Sequence, residues 1–203
     1  MRKKNTMSEL IPRILYTVQK LRLHRQDIAK IYHYTPTQQS TLDIDPDTLK
    51  KAGVKVVVLD FDGVLAAHGE PYPNKDIEVW LQKYVKTFGV SNLFILSNKP
   101  LPIRAAYFAQ HFSGVQFIQG VRKKPYPDGL EKVIKITQQA AKTHILIDDR
   151  LLTGCLSAVI AGAQACYITA PFSNYKKRPI SERFFAGLRW LEKNYVRLFL
   201  HDK

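Results

Sequence analysis

Residues 55–67 read KVVVLDFDGVLAA. Val56 to Leu59 form an apolar run suited to a buried strand, yet it leads straight into two carboxylates, Asp60 and Asp62, with only Phe61 between them. One ionised Asp buried without a partner is costly, and two side by side repel each other. A bound cation or solvent at a strand end must offset that charge. Because side chains alternate in extended chain, Asp60 and Asp62 point one way and Phe61 the other.

From Lys55 onward such apolar runs alternate with segments of helical periodicity, the pattern of a parallel sheet covered by helices. The runs predict strands at Val56–Leu59, Leu93–Leu96, Val115–Ile118, Ile145–Ile147 and Cys166–Ile168. Helices are predicted near Asp76–Phe88, Ile103–Phe112, Asp128–Ala141 and Leu152–Ala161. The expected fold class is α/β, a three-layer doubly wound parallel sheet with helical N- and C-terminal additions. Upstream, DIDPD (Asp43 to Asp47) opens like a calcium loop, but Thr48 stands where that loop needs Gly and no closing Glu follows, so calcium is rejected. Asp47 reads instead as the N-cap of a short helix through Lys51.

Ligands of open parallel sheets gather beyond the carboxyl ends of the strands. Polar residues cluster at those ends: Asp60 and Asp62 after the first strand, Ser97 and Asn98 after the second, and Asp148, Asp149 and Arg150 after the fourth. Lys123, Lys124 and Pro125 follow a short way beyond the third. Each cluster alone has an ordinary reading as a turn, a helix cap or a solvated loop. At one edge of one sheet they supply oxygens for a hard cation, hydroxyl and amide donors, and an ammonium. That inventory suits phosphoryl transfer, in which positioning and charge neutralisation are most of the catalysis. Mg²⁺ is the natural ion for such oxygens, whereas zinc would want a His/Cys set.

The four clusters, DFDGV, LSN, KKP and DDR, resemble the motifs of the haloacid dehalogenase (HAD) superfamily of aspartyl phosphotransferases. The resemblance implies a HAD-like Rossmannoid core in which Asp60 is the nucleophile and Asp62 the general acid and base, with its backbone carbonyl on the metal. By the same resemblance Ser97 holds a phosphoryl oxygen with Asn98 beside it, Lys124 neutralises nucleophile and phosphate, and Asp149 with Asp148 completes the Mg²⁺ site. The spacings between motifs leave no room for a cap domain, which favours a substrate presented by a large body. A longer similarity, from LDIDPDTLKKAGVKVVVLDFD to DDRLLTGCLSAVIAGAQACYITAPF, is to the YqeG-type phosphatidylglycerophosphate phosphatases. Where that family has Asn-Thr this chain has Gly63 and Val64. Where it has Gly-Asp with a later Asp, this chain has Asp148, Asp149 and Gly154. Asp148 is expected to replace the later acid.

The chain of 203 residues carries a net charge of +14, unevenly spread: residues 1–34 hold +6, residues 171–203 hold +5 and the remainder only +3. Basic ends suggest a polyanion as docking partner, an anionic membrane surface or, as the weaker alternative, nucleic acid. Ile11, Ile14, Leu15, Val18 and Leu21 recur at helical spacing among basic residues, as do Phe184, Leu188, Leu191, Tyr195 and Leu198 near the other end. The first stripe is expected to meet a membrane and the second to pack on the domain. Residues 1–34 are taken as a basic amphipathic segment and 35–203 as the phosphatase domain. Two cysteines, too few for a disulfide framework, and the lack of a signal-like apolar stretch suggest a cytoplasmic protein, peripheral at the inner face of a membrane.

The reading that results is a Mg²⁺-dependent phosphomonoesterase acting on phosphatidylglycerophosphate. The alternatives are a phosphatase of a soluble sugar, nucleotide or polynucleotide phosphate, and a non-catalytic HAD-like protein that binds nucleic acid or membrane. His68, Arg104 and Arg150 are open candidates for headgroup contact, with His68 most simply a solvated loop residue.

Overall fold

The computed structural model describes residues 6–200; Arg2, Lys3 and Lys4 of the basic N-terminus lie outside the described residues. The chain begins with α1 (Thr6–Leu23), α2 (Arg25–Tyr34) and α3 (Pro46–Lys51). The alternating part follows as β1 (Val56–Leu59), α4 (Lys75–Phe88), β2 (Leu93–Ile95), α5 (Pro102–His111), β3 (Gln116–Phe117), α6 (Asp128–Thr137), β4 (His144–Asp148), α7 (Leu156–Ile160) and β5 (Gln164–Tyr167), and α8 (Pro179–Phe199) closes it. The strands form one sheet in the order β3-β2-β1-β4-β5, every pair parallel.

The sheet is buried on both faces. On one side Val57, Leu59, Ile95 and Ile147 pack with Trp80, Leu81 and Tyr84 of α4 and Phe108 of α5. On the other, Val56, Val58, Phe94 and Leu146 pack with Leu130 and Val133 of α6 and Ala158 of α7. Four strand residues in a row with no exposure at all explain why β1 is a continuous apolar run rather than an alternating one. Phe61 is likewise buried, in the first of these cores.

Several boundaries differ from expectation. The short helix before β1 is capped by Asp45, whose carboxylate accepts the Thr48 N–H, with Pro46 in its first turn. Asp47 instead accepts a bond from the Thr87 hydroxyl. Thr137 ends α6 because Gln138 turns left-handed, at φ 53°. The helix expected from Leu152 opens as a wide π-type turn over Leu151–Cys155 before becoming α7. β5 begins two residues earlier than its apolar run, at Gln164, because pairing with β4 places Gln164 opposite Ile145.

The two ends come together beside β5. Leu21 of α1, Ile28 and Ala29 of α2 and Val196 of α8 pack with Leu151, Leu156 and Tyr167. The C-terminal stripe, expected to pack inward, points outward: Phe184, Leu191, Tyr195 and Leu198 are each at least 41% exposed. The buried face of α8 is Glu182, Arg189, Glu192 and Val196. The reason lies in the partners those charged residues find at the sheet edge. On α1, Ile11, Ile14, Leu15 and Val18 are exposed too, whereas Leu21 is buried.

Candidate active site

β1 and β4 lie side by side at the point where the strand order reverses, the switch point at which open α/β sheets bind ligands. Asp60 and Asp62 leave the end of β1, and Asp148 and Asp149 the end of β4. The carboxylates of Asp60, Asp148 and Asp149 each place an oxygen within 4.8 Å of the other two, and all three residues are buried. Lys124 lies between them, its Nζ 2.9 Å from Asp60 Oδ1 and donating to Asp148 Oδ2. The loop that delivers Lys124 is fastened by Asn98, whose Oδ1 accepts the Lys124 N–H at 2.7 Å while its Nδ2 donates to the Lys124 carbonyl. Asn98 thus spends its amide on the lysine's backbone. Ser97 Oγ faces the same cavity and accepts the Lys99 N–H.

Asp62 stands apart from this trio. Arg104, with no exposure, grips its carboxylate in two bonds of 2.7 and 3.0 Å, and the Gly69 N–H adds a third at 2.8 Å. The guanidinium lies 3.8 Å over the Phe61 ring and donates to the Glu70 carbonyl. Arg104 is therefore a clamp on Asp62 rather than a surface group reaching for a headgroup. Its position after Pro102 at a helix start gave no sign of burial.

Burial drives the Asp60 pKa up to about 7, against the pull of Lys124. Burial does the same at Asp149, also to about 7, despite Arg189 beside it. At Asp62 burial is outweighed by the Arg104 bonds and charge, so that carboxyl stays below its usual range. Burial acts to lower the Lys124 pKa, but Asp148 and Asp60 more than offset it and the ammonium is retained. Three crowded, dry carboxylates, offset only by Lys124 and by Arg189 on Asp149, fit a hard divalent cation, whose charge would replace the protons they otherwise hold.

A stability test follows from these shifts. In the unfolded chain both acids ionise near about pH 4; folded and cation-free, Asp60 and Asp149 hold their protons to about 7. Across that window the folded state binds more protons, so stability falls as pH rises. A divalent cation that displaces the protons should therefore raise Tm more at about pH 8 than at about pH 5. Thermal melts with and without Mg²⁺ measure this, and equal gains at both values would exclude the trio as the cation site.

The buried face of α8 supplies the remaining charges. Arg189 donates to Asp149 Oδ2 at 2.7 Å, Glu192 accepts from Arg150, and Glu182 accepts the backbone N–H groups of His68 and Asn174. His68 is buried, stacked 3.9 Å from the Phe185 ring and near the other Glu182 oxygen, so it is no solvated loop residue. Burial lowers its pKa to about 4. Arg150 is held by Glu192. Sequence reading missed Arg189, Glu192 and Glu182, whose only signal is that they share one helical face with Val196.

Above the carboxylates opens a cavity of about 540 Å³. Its floor is polar: Asp60, Asp62, Ser97 and Lys124. Its walls carry Leu10 and Ile14 of α1 and Phe184, Phe185 and Leu188 of α8. Tyr16 holds α1 in place by packing on Tyr126, two residues beyond Lys124, with ring centroids 4.4 Å apart.

A doubly wound parallel sheet with DFD, SN, KKP and DD at its switch edge defines a phosphatase of the HAD class, and among the described residues no cap domain intervenes. The chain is thus read as an enzyme, not as a non-catalytic binding protein. A family model described as mitochondrial PGP phosphatase matches residues 15–173, and the chain belongs to that family. No curated protein matches it significantly. Among solved structures, an uncharacterized protein from Corynebacterium glutamicum is similar at 22% identity, covering 68% of this chain and 96% of its own, with a TM-score of 0.44. The cobalt-bound deoxy-D-mannose-octulosonate 8-phosphate phosphatase of Haemophilus influenzae is similar at 17% identity, covering 72% and 93%, also with a TM-score of 0.44.

Proposed function

We propose that this phosphatase is Mg²⁺-dependent and removes the terminal phosphate of phosphatidylglycerophosphate while docked peripherally on an anionic membrane, at its cytoplasmic face. The observation that carries the reading is the cavity's two-sided lining. Its charged floor continues through Ile14 and Phe184 into exposed apolar residues of α1 and α8. A soluble sugar or nucleotide would leave that apolar wall without a partner; a lipid headgroup would leave its acyl chains beside it. No helix among the described residues is long and apolar enough to cross a membrane, and a basic amphipathic face is the alternative means of attachment.

In the proposed chemistry an oxygen of Asp60 attacks phosphorus as the bond to the glycerol oxygen breaks, and Asp62, which must first leave the Arg104 clamp and take up a proton, gives that proton to the leaving oxygen. Asp62 then takes a proton from water, which attacks phosphorus, releases inorganic phosphate and restores Asp60. Lys124 and Ser97 hold the phosphoryl oxygens. Mg²⁺, held by Asp60, Asp148, Asp149 and the Asp62 carbonyl, would supply charge neutralisation at the transferring group. The deciding experiment is phosphate release from the lipid in mixed vesicles with Mg²⁺. Efficient hydrolysis of soluble esters with none of the lipid would end the lipid assignment.

Docking has its own measurement. Leu15 is 65% exposed and Leu198 57% exposed, and neither lines the cavity. Burying a leucine contributes about 1.5–3 kcal/mol, so Leu15→Glu with Leu198→Glu should weaken partition onto anionic vesicles by at least about tenfold. Flotation checks it; equal binding of the unaltered protein to neutral and anionic vesicles would contradict the electrostatic part.

A further inference from the structure

The cations of the site divide into two sets. Lys124, Arg104, Arg150 and Arg189 each hold a carboxylate. Arg178 does not. Its nearest acid oxygen, on Glu70, is 3.9 Å from Nε, too far for a hydrogen bond, and that Nε is buried without a partner. The other Glu70 oxygen is taken by Lys177 at 2.9 Å. Arg13 of α1 meets no carboxylate within ion-pair distance among the described residues; both arginines line the cavity.

The location of Arg178 is specific. Gly69 has φ +75°, and a Cβ there would lie 2.6 Å from Arg178 Nη1, so the guanidinium rests against bare backbone. That same glycine donates its N–H to Asp62 Oδ1. Arg178 is thus placed against the turn that holds the Asp62 carboxylate, the group that the proposed function assigns to the leaving oxygen.

We infer that Arg178, together with Arg13 in the same cavity, forms a second anion subsite that binds a phosphodiester carried by the leaving alcohol. This rests on the proposed function insofar as Asp62 serves the leaving oxygen, and it adds which part of the substrate is read and by which residues. Two guanidinium groups with free donors suit the paired oxygens of a diester. A plain alcohol or sugar gives them nothing to bind.

The test uses the full-length protein and two soluble probes without acyl chains: glycerol 3-phosphate, and glycerophosphoglycerophosphate, which adds one phosphodiester to the same phosphomonoester. Because a hydrogen bond to a charged group strengthens binding severalfold or more, kcat/KM should favour the diester-bearing probe by about tenfold or more. In Arg178→Gln and in Arg13→Gln this ratio should fall toward one, with Arg178→Lys intermediate. Glycerophosphoglycerol, which has the diester and no monoester, should inhibit the unaltered protein and lose that inhibition in both Gln variants. A ratio near one in the unaltered protein, or one preserved in both variants, would overturn the subsite. If the lipid is hydrolysed while the soluble ratio is one, the subsite falls and the lipid reading stands. If the ratio is large while the lipid is untouched, the subsite stands and the lipid reading falls.

Discussion

Asp60→Asn is expected to lower kcat by at least about 10³-fold on every phosphomonoester the enzyme accepts, because in the proposed chemistry Asp60 is the nucleophile and a carboxamide in its place cannot form the acyl phosphate. The loss should not come from unfolding. Asp60 is buried with its pKa raised to about 7, so at about pH 8 the cation-free protein carries an ionised carboxylate against burial and against Asp148. A neutral amide of the same shape relieves that repulsion, and Lys124 keeps its bond to Asp148. The variant should therefore melt no lower than its parent without metal, while no phosphoprotein species appears by mass spectrometry. Retained turnover would mean the nucleophile lies elsewhere.

The second large effect concerns positions 148 and 154. A Cβ on Gly154 would lie 1.9 Å from the Asp148 carboxyl carbon, so the wide turn after β4 closes directly onto that carboxylate. Overpacking a buried site costs about 1–3 kcal/mol, and Gly154→Ala should lower Tm by several degrees, at about 2–4 °C per kcal/mol for a chain of this size. The departure from the Gly-Asp with later Asp pattern noted in the sequence acquires a geometric form: the acid at 148 fills the space that a side chain at 154 would occupy. Asp148→Gly or Gly154→Asp alone should each abolish Mg²⁺-dependent activity, the first by removing a carboxylate and the second by forcing two into one space. Combined, they should recover a substantial part of it. Strictly additive losses in the double variant, measured by phosphate release and by Mg²⁺-dependent melting, would refute the exchange. Gly63 has a related constraint, since a Cβ there would lie 2.5 Å from Asp149 Oδ2.

Much of this site was legible in the sequence because β1 and β4 are buried on both faces, and such strands must be apolar until they reach the edge where chemistry happens. The apolar-to-acid transitions at Leu59–Asp60 and Ile147–Asp148 marked that edge directly. β5 was harder to place: its first residue, Gln164, is exposed at the sheet's rim and carries no apolar signal. Arg104 was invisible for a different reason, since a long cation one turn into a helix reads as solvated until the carboxylate it meets, 42 residues away in the chain, is known. α8 was read with the wrong face inward. Hydropathy assigns burial to Phe184, Leu191 and Leu198, but the unbalanced charges of Asp149, Arg150 and the His68 turn draw Arg189, Glu192 and Glu182 inward instead. Local pattern yields to long-range charge balance there.

That inverted helix makes solubility and catalytic competence a single inherited trait. The apolar residues that would make the protein prone to aggregate share a backbone with the residues that balance its catalytic edge. Trimming the chain before Pro179 to make it better behaved would also strip Asp149, Arg150 and the His68 turn of their counterparts. Under the proposed docking, any change in α8 that alters attachment would also alter the site through the same 21 residues.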